Sequence, residues 1–268
     1  MEPAWALEIK NGLRTKVIGH EVICYQRIDS TNDKAKELVE AGANEGVVII
    51  AKEQIHGRGR FHGGQPRKWF SPPGGVYISI ILKPPIAPHQ APKIALVSAI
   101  AMANFLQIKY QLDAGVKWPN DVLVNDKKIC GVLTEGGTKG GRLEYLIVGL
   151  GINANVDLKA SPKEVRATGT SIKEELKTEI SLTAFIQNFL EEFERLYEEF
   201  QKNDLFPLLN TYNTLLVTPG RWIRITTTHD TFEGIAQGID PDGGLILKLA
   251  DNSVQRIISG EVIDSKRI

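Results

Sequence analysis

Short runs of β-branched and other large apolar residues constrain this chain most: Gly46 to Ala51, Val76 to Leu82, and Leu143 to Val148. Their composition and length read as strands of a buried core. His20 to Tyr25 reads as a further strand. Ser30-Thr31-Asn32 then supplies an N-cap for a helix over Asp33 to Ala41, with Gly42 as its stop. Pro92 to Tyr110 places Ile94, Val97, Ala101, Met102, Phe105 and Leu106 at helical spacing, with small residues that permit close packing on a sheet. Ser181 caps a long amphipathic helix whose core face holds Leu182, Phe185, Phe189, Phe193, Leu196 and Phe200. From Thr218 the pattern changes to short strands: Trp222 to Thr226, Phe232 to Gln237, Leu245 to Leu249 and Val254 to Ile258, with a turn at Asp240 to Gly244. These signals predict an α/β (α+β) domain on a mixed sheet over residues 1–217 and a small all-β barrel over 218–268.

Composition narrows the function. The 268 residues include 32 basic and 32 acidic side chains, so no global field draws the chain to nucleic acid or to an anionic membrane. Cys24 and Cys130 stand far apart and outside any Cys-x-x-Cys pattern, which predicts neither a disulfide framework nor a zinc site and favours a reducing cytoplasm. No apolar run is read as reaching the roughly 20 residues of a membrane span, and the N-terminus lacks a signal-peptide core. The five histidines show no spacing for a metal or a catalytic triad.

Three polar clusters interrupt the apolar framework. Lys117-Trp118-Pro119-Asn120-Asp121 is followed by Lys128, with a hairpin from Asp121 to Val124, a turn at Asn125-Asp126-Lys127 and a return through Ile129 to Leu133. Two ammonium groups and an Asn-Asp pair around a hairpin suit a bound polyphosphate; a pair of exposed lysines is the alternative. Gly57-Arg58-Gly59-Arg60 offers guanidinium forks on a backbone that glycine lets approach a ligand closely, although a solvated basic loop or an Arg/Gly nucleic-acid contact would look the same. Without a following Gly-Lys-Ser/Thr it is not a phosphate loop of the Walker type. The surrounding segment, Gln54 to Gly75, is too polar and glycine-rich for a regular element and too long for an ordinary connection, which predicts a functional lid or a disordered segment. Gly149-Leu150-Gly151-Ile152-Asn153 ends an apolar strand without the third glycine and helix of a dinucleotide site, leaving a strand-end bulge as the alternative.

Taken together, these motifs resemble the biotin protein ligases over nearly the whole chain, including Arg67-Lys68-Trp69 and Ser71-Pro72 after the arginine loop. The resemblance implies a class II synthetase-like, biotin-lipoyl ligase catalytic domain with a C-terminal SH3-like barrel. Its implied activity is activation of biotin by ATP and Mg2+ to biotinyl-5'-AMP, followed by transfer to a lysine of a biotin carboxyl carrier protein. Biotin would be held by Ser30, Thr31, Asn32, Gln54, Gly57, Arg58, Arg60, Lys128, Gly131, Gly149 and Gly151. ATP would be held by Arg58, Arg60, Trp69, Lys117, Asn120, Asp121, Lys128 and Asn153, with Lys128 and Arg60 at the reacting groups and Asp121 toward magnesium. Phe61 to Pro66 separate Arg60 from Arg67, where the family carries a shorter spacer. Ser30-Thr31-Asn32 comes too early to leave room for the DNA-binding domain of some relatives, so the single-function type is expected, with no DNA and no membrane as partner and a homodimer left open. Lipoate or octanoate ligases share the fold and are the nearest rival; a non-catalytic nucleic-acid binder is the rival of another class.

Overall fold

A computed structural model describes residues 4–62, 65–203, 205–227 and 230–267. Its strands are β1 Glu21–Tyr25, β2 Val47–Ala51, β3 Arg58–His62, β4 Gln65–Lys68, β5 Val76–Leu82, β6 Ala114–Lys117, β7 Asp121–Val124, β8 Lys127–Lys139, β9 Arg142–Ile152, β10 Arg221–Thr226, β11 Thr231–Ile239, β12 Leu245–Leu249, β13 Val254–Ile257 and β14 Glu261–Arg267. The helices are α1 Ala4–Gly12, α2 Thr31–Glu40, α3 Ala91–Tyr110, α4 Lys163–Thr168, α5 Ile172–Leu176, α6 Leu182–Asn203 and α7 Phe206–Leu215.

The central sheet runs β1-β2-β5-β9-β8-β7-β6, with β1 parallel to β2 and the other pairs antiparallel. Side chains of a strand alternate between faces, and here both faces are covered. Val48, Ile50, Ile78, Ile80, Val148 and Leu150 join the cluster formed with α3 and α6, whereas Val47, Ile49, Ile81 and Ile147 pack with Ala35, Leu38 and Val39 of α2. That double cover explains why these strands read as continuous apolar runs. The aromatic stripe of α6 is core, as its spacing predicts: Phe185 meets Phe105 of α3 edge-on at 5.1 Å between ring centroids.

The structure corrects three sequence expectations and removes one alternative. Gln54 to Gly75 contains a regular element, the antiparallel hairpin β3–β4, in which Arg58 faces Lys68 and His62 faces Gln65. The extra residues prolong its two strands; Gly63, Gly64 and the side chains of Phe61 to Pro66 lie outside the described residues. Second, β8 and β9 extend well beyond the apolar runs, because Glu135 to Lys139 continue the ladder with polar side chains. Third, Gly149 and Gly151 lie inside β9 opposite Ser79 and Tyr77 of β5 with no register shift, so they form no bulge. Fourth, Pro88 to Tyr110 is long and apolar enough by composition to cross a bilayer, yet that stretch is 72% buried within the protein.

The second sheet runs β13-β12-β11-β10-β14 and is antiparallel throughout. Its inward residues Ile223, Ile225, Ala236, Leu245 and Leu247 belong to the same continuous cluster as α3 and α6. Strand β14, which pairs with β10, has no counterpart in the sequence reading, and neither do β6 and α7. The two sheets are tied at Trp118, 2% exposed, whose indole N–H donates to the Gly243 carbonyl at 3.0 Å. Gly243 has φ +83°, and a Cβ there would lie 2.4 Å from Leu96, so glycine is required at this contact. Trp118→Phe orphans a buried carbonyl, at about 1–3 kcal/mol, and adds the cost of the cavity left by the missing ring atoms. Thermal unfolding should show the loss with unchanged far-ultraviolet circular dichroism.

Candidate active site

A cavity of about 810 Å³ opens between β8 and β9, the β3–β4 hairpin, the β6–β7 corner and the residues leading into β14. Its inner end is polar and built from three elements. Ser30 caps α2, and its Oγ accepts from Asp33 N at 3.4 Å and from Arg58 Nη1 at 3.2 Å. The Thr31 N–H donates to Gln54 Oε1 at 2.8 Å, and Gln54 Nε2 donates to Ser71 Oγ at 3.1 Å. Asn32 Nδ2 donates to Glu135 Oε2 at 2.6 Å, while its Oδ1 accepts from the buried Ser79 hydroxyl at 2.6 Å. Arg58 is paired with both Asp33, at 2.7 Å, and Glu135, at 3.0 Å. Burial pulls its pKa down, but the two carboxylates outweigh that and leave it raised.

Between the two ends, glycines form the floor. A Cβ on Gly149 would lie 2.2 Å from Asn32 Oδ1, and one on Gly151 would lie 2.3 Å from the Trp69 indole nitrogen. Gly131 is packed similarly beneath Trp69, 2.9 Å from a built Cβ to the ring. The Trp69 indole nitrogen is buried against Gly151 and has no hydrogen-bond partner among the described residues.

The outer end gathers Arg60, Arg67, Lys117 and Lys128 around two carboxylates, Asp121 and Glu261. Lys128 Nζ lies 2.7 Å from Asp121 and 5.0 Å from the Trp69 ring centroid. Arg60 donates to the Gly260 carbonyl at 3.1 Å, Lys117 donates to the Val262 carbonyl at 3.1 Å, and Arg67 pairs with Glu261. Burial lowers the pKa of Lys117; Asp121 and Glu261 oppose the shift, and Lys128 and Arg67 add to it. Burial likewise lowers that of Arg60, with Arg67 acting in the same direction. Excess positive charge facing an enclosed space suits a polyanion better than an extended nucleic-acid strand.

Of the residues singled out from sequence, Ser30, Thr31, Asn32, Gln54, Arg58, Arg60, Trp69, Lys117, Asn120, Asp121, Lys128, Gly131, Gly149 and Gly151 line this cavity. Gly57 and Asn153 do not. Gly57 packs behind Ser71 and the Trp69 carbonyl, and Asn153 turns its amide to the Thr170 carbonyl at 3.0 Å. Arg67, whose place the spacer put in question, is on the wall. Sequence reasoning placed Ser71 in the loop motif without a contact of its own, and missed Ser79, Glu135 and Gly260 to Val262. A small hydroxyl residue amid the apolar run Val76 to Leu82 was the available signal for Ser79, whereas β14 reaches the site only through tertiary folding. Among the described residues no group of three or more His, Cys, Asp or Glu side chains could hold a metal.

Pyrophosphate should therefore raise the melting temperature, by about 2.7 kcal/mol of stabilisation at a hundredfold excess over Kd. Bound anion favours protonated Lys117, so the gain should shrink as pH rises through its lowered pKa, and salt should weaken it. A pH-independent response would contradict this arrangement.

The Biotin/lipoate A/B protein ligase family matches residues 24–153, and the Biotin protein ligase C terminal domain matches residues 218–263. A bifunctional ligase/repressor of Bacillus subtilis is 33% identical over 95% of this chain and 77% of its own length. A biotin acetyl-CoA-carboxylase ligase of Paracoccus denitrificans is 30% identical over 83% of this chain and 92% of its own. The solved biotin protein ligase of Aquifex aeolicus in complex with biotin and ATP superposes with a TM-score of 0.79 at 25% identity, covering 93% of this chain and 100% of that one. With the fold, the cavity and these relatives in agreement, the chain belongs to the biotin protein ligase family.

Proposed function

We propose that the cavity activates biotin with ATP and that the chain then transfers biotin to a lysine of a biotin carboxyl carrier protein. The observation that carries this reading is the polarity of one continuous cavity: hydrogen-bonding groups at one end, cations at the other, and a glycine floor between them. Biotin has matching parts, a cyclic urea, an aliphatic tail and a carboxylate. The urea takes the Ser30, Thr31, Asn32 and Gln54 end, the tail runs along the cavity toward β8, and the carboxylate reaches Lys128. A carboxylate oxygen attacks the α-phosphorus, the bond to the pyrophosphate oxygen breaks, and biotinyl-5'-AMP remains. The neutral amine of the acceptor lysine then attacks the carbonyl carbon, an amide forms, AMP leaves, and the amine's proton passes to solvent.

Two anions must approach for the first step, and Lys128, Arg60, Lys117 and Arg67 offset their repulsion. Magnesium, bound with the nucleotide, supplies further neutralisation of the phosphates. The residues fit that role modestly: magnesium takes most ligands from phosphate and water, and Asp121 is the carboxylate that would hold it on the β7 side. We assign residues 1–217 to biotin and ATP binding and 218–268 to a domain that completes the nucleotide end through Gly260, Glu261 and Val262.

Labelled pyrophosphate should enter ATP only when biotin and magnesium are both present; exchange driven by octanoate or lipoate instead would redirect the assignment to the lipoate branch. Lys128→Ala should lower that exchange by about 10² to 10³ while leaving the melting temperature within a few degrees. Near-wild-type exchange would remove Lys128 from the chemistry.

A further inference from the structure

Glu135 has no role in the reading above, yet one carboxylate joins three elements of the inner end. It lies on β8, accepts from Asn32 Nδ2 at 2.6 Å beside α2, and pairs with Arg58 Nη2 at 3.0 Å on the lid hairpin. An ionised carboxylate can only accept hydrogen bonds, so it decides which way the Asn32 amide faces. Nδ2 must point at Glu135, and Oδ1 must then face Ser79, whose hydroxyl donates to it at 2.6 Å. The flipped amide would set oxygen against oxygen at Glu135. Packing of Oδ1 against Gly149 leaves the side chain no other place.

The second contact works through Arg58. Held between Glu135 and Asp33, its guanidinium donates to Ser30 Oγ at 3.2 Å, and Asp33 N donates to the same oxygen at 3.4 Å. Both lone pairs of that hydroxyl are taken, so only its own proton is left to offer a ligand. Glu135 thereby leaves an obligate donor at Ser30 and an acceptor lone pair at Asn32 Oδ1. A cyclic urea complements that pair, with a carbonyl to accept and an N–H to donate. A fatty-acid tail complements neither.

We propose that Glu135 is a positioning and specificity-determining residue, which fixes the hydrogen-bond polarity of the inner end so that this end selects a cyclic urea. The proposal rests on the placement of biotin's urea given above. Glu135→Gln is close to isosteric, but its amide can donate or accept, which frees Asn32 to flip and removes one counterion of Arg58. The test is steady-state pyrophosphate exchange with varied biotin, varied ATP and desthiobiotin, which keeps the urea and lacks the sulfur. KM for biotin and for desthiobiotin should each rise about tenfold, while KM for ATP and kcat at saturating biotin stay within twofold. An unchanged KM for biotin, or losses shared equally by biotin and ATP, would overturn the proposal. Should the Gln variant fail to fold, Asn32→Asp tests the contact from the other side: a carboxylate facing Glu135 must raise KM for biotin in the same selective way, and a wild-type value overturns the proposal. Biotin-independent exchange by the wild type would fault the placement of the urea instead.

Discussion

Holding four partly buried cations around two carboxylates is the constraint on which the site depends. Arg60, Arg67, Lys117 and Lys128 face one cavity with two carboxylates between them, and burial already lowers the pKa of Lys117 and Arg60. A chain cannot hold such a group with ion pairs alone without cancelling the charge that a triphosphate would use. Here the restraint is shared with backbone carbonyls: Gly260 takes Arg60 and Val262 takes Lys117, each at 3.1 Å. Carbonyls orient a cation and leave its net charge in place. Those carbonyls belong to the start of β14, so the small C-terminal sheet is part of the electrostatic design of the nucleotide end.

The inner end solves a different problem, selection among neutral groups. Its members are held by hydrogen bonds whose direction is fixed: Asn32 between Glu135 and Ser79, and Gln54 between Thr31 and Ser71. Ser71 in turn donates to the Trp69 carbonyl at 3.1 Å, which links the inner end to the aromatic that covers the floor. Fixed polarity discriminates strongly, because a ligand with the wrong pattern leaves buried groups unpaired. Binding at one end and closure at the other thus share a contiguous set of contacts.

Much of this was legible in the sequence where local physics decides. β-Branched runs, the Ser30 cap, the phenylalanine stripe of α6 and the Lys-Trp-Pro-Asn-Asp corner all act within a few residues of themselves. What escaped depends on distant partners. The β3–β4 hairpin is polar because it lies over a cavity, so it lacks the apolar alternation of a core strand. Glu135 looks like a solvated strand residue until α2 brings Asn32 against it. Glycines 149 and 151 resemble a strand-end bulge until the aromatic and the amide they accommodate are seen in three dimensions. Asn153 shows the reverse case: its motif pointed to the nucleotide, but its amide is spent on the Thr170 carbonyl.

The central claim is that one cavity orders a ligand from urea to phosphate along the glycine floor. A crystal structure with a non-hydrolysable analogue of biotinyl-5'-AMP tests it most directly. The account predicts the bicyclic ring against Ser30, Asn32 and Gln54, the tail running from there toward β8, and the phosphate-equivalent group within hydrogen-bond distance of Lys128 and Arg60. An analogue bound in the opposite sense, or outside this cavity with Lys128 still paired to Asp121, would contradict it.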